Sequence, residues 1–172
     1  SKDVTFTNPS AISVTGGVDL KFSEIDVKFN WDGRLPLCGG MAEDRKFEDY
    51  RSQAGLFSTC HARLFIQIPS QEANLQLDMT DVERRDVNLV AEYQKFDNGG
   101  PYTMFLQGSL PILNQAINKL VLFVPATSKL GIFKLQLSAS VEDPNTRDQY
   151  NQLLDTSSIF VREVTVDLTM VN

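Results

Sequence analysis

The sequence predicts a mainly β, β-rich α+β domain: a single-domain antiparallel β-sandwich or jelly-roll-like barrel with one to three short helices in its loops. Three observations predict it. Apolar and polar residues alternate at period two in stretch after stretch. Gly, Pro, Asn and Asp cluster between these stretches at intervals of about ten residues, the spacing of sandwiches and barrels. No composition shift or low-complexity tract divides the 172 residues, so one domain spans 1–172.

The first strong element is VDLKFSEIDVKFNW. Val18, Leu20 and Phe22 alternate on even positions, and Ile25, Val27, Phe29 and Trp31 on odd ones. Strand side chains repeat every two residues, so the change of phase would turn one apolar set away from the core. A β-bulge at Ser23-Glu24, or a break into two short strands there, brings both sets back to one core. The C-terminus carries a similar slip. Ile159 and Val161 are odd, Val164, Val166, Leu168 and Met170 are even, and a bulge is expected at Arg162-Glu163.

Between these ends lie further strands. Leu64, Ile66 and Ile68 alternate, with Phe65 on the other face. Leu75, Leu77 and Met79 alternate, as do Val87, Leu89, Ala91 and Tyr93. The run Lys119–Val124 (KLVLFV) reads as a strand buried on both faces. Phe133, Leu135, Leu137, Ala139 and Val141 complete the set. Asp97–Pro101 (DNGGP) is a turn that joins Val87–Phe96 to Tyr102–Leu106.

Helical signals are shorter. In SLPILNQAINKL, residues Leu110, Leu113, Ile117 and Leu120 fall at helical spacing. Asp143 and Pro144 suit the N-cap and first turn of a helix that puts Tyr150, Leu153 and Leu154 on one face. Met41–Gln53 is highly charged, with Phe47 and Tyr50 on one side, and reads as a surface helix or an ordered loop.

Charge and cysteine content narrow the function classes. The formal net charge is -6. Nucleic-acid binders draw most of their affinity from neutralising phosphates, and the densest basic run, Arg84-Arg85, is flanked by Glu83 and Asp86, so no direct nucleic-acid partner is expected. Two cysteines, Cys38 and Cys60, make no disulfide framework, although one bridge between them satisfies the count. With no secretory signal in view, reduced thiols and a cytoplasmic location are the simpler expectation, in a host cell or a virion if the chain is viral. A secreted chain with its signal removed is the other option. The longest apolar run, Leu120–Pro125, is strand-sized and far too short to cross a membrane.

The chain's only histidine, His61, adjoins Cys60. On a strand, neighbours point to opposite faces, so the two cannot pair as nucleophile and base. Cys60 shares the parity of Leu64 and Ile66 and reads as core, whereas His61 shares a face with Arg63, Phe65 and Gln67. No Cys-x-x-Cys or His-x-x-x-His spacing exists, and no zinc site is expected. Asp143 and Asn145 match two positions of a calcium loop, but Asp148 and Leu154 replace its glycine and glutamate. Glu43, Asp44, Glu48 and Asp49 cluster with Arg45 and Lys46 among them, as in a solvated, ion-paired face. Asp81, Glu83 and Asp86 read the same way. No glycine pattern forms a phosphate loop, and no cofactor is expected.

A chain without a catalytic kit is expected to be a non-enzymatic structural or interaction protein. It would act by self-association or partner docking, as a homo-oligomer or on a protein partner, with Phe47, Tyr50 and Tyr150 as interaction residues. Aromatics rimmed by charge bury much area at low entropic cost. LGIFKLQLSASVED is similar to a strand of rhabdovirus-type matrix proteins, a resemblance that implies a coat or matrix role. The acidic balance argues against the basic, membrane-binding surface of a matrix protein, so membrane contact stays open. The alternative is a soluble carrier of a lipid or other apolar ligand between two sheets. SKLGIFKLQLSASV with SSIFVREVTVDL resembles the last two strands of the small secreted lipid-recognition sandwiches, the family that includes sterol carriers. The disulfide cysteines of that family are missing here.

Overall fold

The computed structural model describes residues 4–31, 61–68, 72–94, 102–129, 131–142 and 158–171. The chain is mainly β, and its strands form open sheets layered in a sandwich-like arrangement rather than a closed barrel. The strands are β1 (Val4–Thr7), β2 (Ala11–Thr15), β3 (Leu20–Lys21), β4 (Lys28–Trp31), β5 (His61–Ile68), β6 (Asn74–Leu77), β7 (Val90–Gln94), β8 (Tyr102–Ser109), β9 (Leu120–Phe123), β10 (Ile132–Glu142) and β11 (Ser158–Val171). Two helices accompany them among the described residues: α1 (Asp81–Asp86) and α2 (Leu110–Ile117).

A six-stranded sheet in the order β2-β11-β10-β5-β8-β7 forms one layer. The pair β1-β4, the three-stranded sheet β3-β9-β6 and α2 share its core. Among the described strands every pairing is antiparallel except that of β11 with β2, which is parallel. Parallel neighbours cannot be joined by a hairpin. β2 and β11 lie at opposite ends of the chain, so no local turn constrains their direction.

The expected alternations are real. Leu64, Ile66 and Ile68 are fully buried, as are Leu75, Leu106 and Leu122. Phe133, Leu135, Leu137, Ala139 and Val141 all face the core from β10. Phe6 and Phe29 are directly paired in register between β1 and β4, and their rings meet edge to face at 5.0 Å. α2 follows β8 without a loop. Its buried stripe of Leu110, Leu113, Ala116 and Ile117 packs against β8, β5 and β4.

The first phase slip is a strand break. One turn of 3-10 helix at Phe22–Glu24 separates β3 from β4, and the two strands join different sheets. Phe22 is fully buried and Ile25 packs on the same core. Val18 is corrected: it lies in the turn after Gly16-Gly17, 56% exposed, because Gly17 adopts a left-handed φ of 79° and donates to Val124 O. The second slip is also corrected. Pairing of β10 with β11 runs unbroken through Arg162 and Glu163, and the register shifts upstream, where Val141 and Glu142 face Phe160 and Ser158. Val161 is 64% exposed on the outer face. Arg162 takes the parity of the core set instead, and its Nη1 donates to Phe6 O at 3.1 Å.

The expected strand from Val87 starts later, at Val90. Val87 ends α1, and Asn88 turns the chain with a left-handed φ of 54°. Cys38, Phe47, Tyr50, Cys60, Tyr150 and the turn expected at Asp97–Pro101 lie outside the described residues, as do the charged segment Met41–Gln53 and the helix expected near Asp143–Asp155.

Candidate functional site

Two surfaces of the six-stranded sheet stand out among the described residues: its outer face and the edge at β7. On the outer face, strand register sets residues into rows. One row runs Glu92, Phe105, Phe65, Ser138, Glu163 across β7, β8, β5, β10 and β11. The next runs Gln94, Thr103, Gln67, Gln136, Thr165. Adjacent strands lie about 4.8 Å apart, so each row is a line of closely spaced side chains. Phe65 and Phe105 are direct cross-strand partners at the middle, with a carboxylate at either end of their row.

Phe65 is 40% exposed and lies where two clefts meet. A cleft of about 540 Å³ runs past Gln67, Gln136, Ser138, Glu163 and Thr165. A smaller one of about 250 Å³ is lined by Glu92, Gln94, Thr103 and Phe105. These groups offer amide and hydroxyl hydrogen bonds beside an aromatic surface.

The edge is of a different kind. β7 is the last strand of the sheet and pairs only with β8 among the described strands. An edge strand presents unpaired N–H and C=O groups along its free side. Val90 on the outer face and Tyr93 on the other are each 44% exposed. The opposite edge, β2, presents only the small outward residues Ala11, Ser13 and Thr15.

α1 flanks the β7 edge. Its N-cap Thr80 accepts from the Glu83 N–H through Oγ1 at 3.1 Å. Asp81 and Glu83 occupy its first turn and Arg84 and Arg85 its last, which matches the helix dipole. Arg84 donates to the Asp81 carboxylate. The helix ends against the start of β7, where the Leu89 N–H donates to Arg84 O. A cleft of about 460 Å³ lies between them, lined by Asp81, Arg84, Arg85, Val90, Ala91 and Glu92.

Among the described residues no three of His, Cys, Asp and Glu come together as a metal site would require. Among the described residues no helix is long and apolar enough to cross a membrane. His61 opens β5 opposite Ser109 in the register with β8. The expected interaction residues Phe47, Tyr50 and Tyr150 lie outside the described residues.

Val90, Tyr93 and α1 were not expected as a surface. One sequence signal marks α1: Thr80 and Glu83 stand at the Ser/Thr-x-x-Glu spacing of a helix start. No protein-family model matches this chain, and no curated protein matches it.

Proposed function

We propose that the protein is a non-enzymatic structural or interaction protein that works by association, docking another polypeptide along the edge at β7. The observation behind this is that β7 ends its sheet and pairs only with β8 among the described strands, with Val90 exposed on its outer face. Adding a strand to an open edge gains main-chain hydrogen bonds without a reactive centre, and the flanking side chains set the choice of partner. An assembly of this kind suits a coat or matrix protein, whose subunits work by contact.

Light scattering on the size-fractionated protein, across a wide concentration range, tests this. A mass above that of one 19.3 kDa chain supports association. A monomer at the highest concentration that carries extractable lipid would instead favour the carrier of an apolar ligand.

A further inference from the structure

We draw no further inference here: the strongest candidate, the outer face of the six-stranded sheet around Phe65 and the two clefts that meet there, carries nothing because nothing among the described residues shows what covers it.

Discussion

Phe29 and Asn114, 85 residues apart in sequence, are joined by two hydrogen bonds. The Phe29 N–H donates to Asn114 Oδ1 at 2.8 Å, and Asn114 Nδ2 donates to Phe29 O at 2.9 Å. A side-chain amide on α2 thus acts as a strand partner for β4. Phe29 is almost fully buried, so its backbone groups have little recourse to water. Asn114→Ala strips both partners away at once. Leaving a buried polar group unsatisfied costs about 1–3 kcal/mol, so a loss of about 2–4 kcal/mol is expected for the pair. Urea unfolding checks it. A loss under about 1 kcal/mol would mean that β4 is not held through this amide.

Asn88 predicts a change of the opposite sign. Its backbone is left-handed, and its Nδ2 is buried without a hydrogen-bond partner. Asn88→Gly removes the orphaned donor and the side chain from a conformation that favours glycine. Glycine's greater freedom in the unfolded chain costs about 0.5–1 kcal/mol in return. The net expectation is a gain of about 0.5–1.5 kcal/mol. Asn88→Ala keeps a Cβ in the left-handed region and should fall below the glycine variant. Thermal unfolding of wild type and the two variants should rank Asn88→Gly highest.

The fold was legible wherever one face of an element is buried. Leu64, Ile66 and Ile68, or Phe133 through Val141, announce their strands because the core accepts only alternate residues. Leu110, Leu113 and Ile117 announce α2 for the same reason at helical spacing. α1 buries no residue and leaves no apolar stripe to read, only the Thr80–Glu83 cap. The parallel pairing of β2 with β11 has no local signature, since it is decided between residues more than 150 positions apart. The candidate edge was hidden for a related reason. Val90 and Tyr93 look like any strand residues, and only the order of all six strands makes theirs the last.

The correction at β11 carries its own prediction. Val161 and Val166 are the same residue type on one strand, yet one is exposed on the outer face and the other is fully buried. Val161→Thr should leave stability within about 0.5 kcal/mol of wild type, as surface changes do. Val166→Ala should cost about 2 kcal/mol, from lost burial and the space left behind. Equal costs at the two sites would restore a bulge at Arg162-Glu163.

Leu64 and Phe65 are neighbours on β5 and separate packing from binding. Leu64 is fully buried in the core, while Phe65 stands on the outer face where two clefts meet. Leu64→Ala should cost about 2–5 kcal/mol, the range for a buried leucine. Phe65→Ser gives up a larger side chain, but one that already touches water. Its cost should be smaller, about 1 kcal/mol, from the part of the ring that is turned away from water. The two variants should differ the other way in binding. The native protein should bind an apolar fluorescent dye at the clefts around Phe65, and Phe65→Ser should lower that binding several-fold. Leu64→Ala, studied where it remains folded, should leave it unchanged. β5 lies two strands in from the β7 edge, so neither variant should alter the mass of the folded assembly. A change in that mass on Phe65→Ser would move the association surface from the sheet edge to the sheet face.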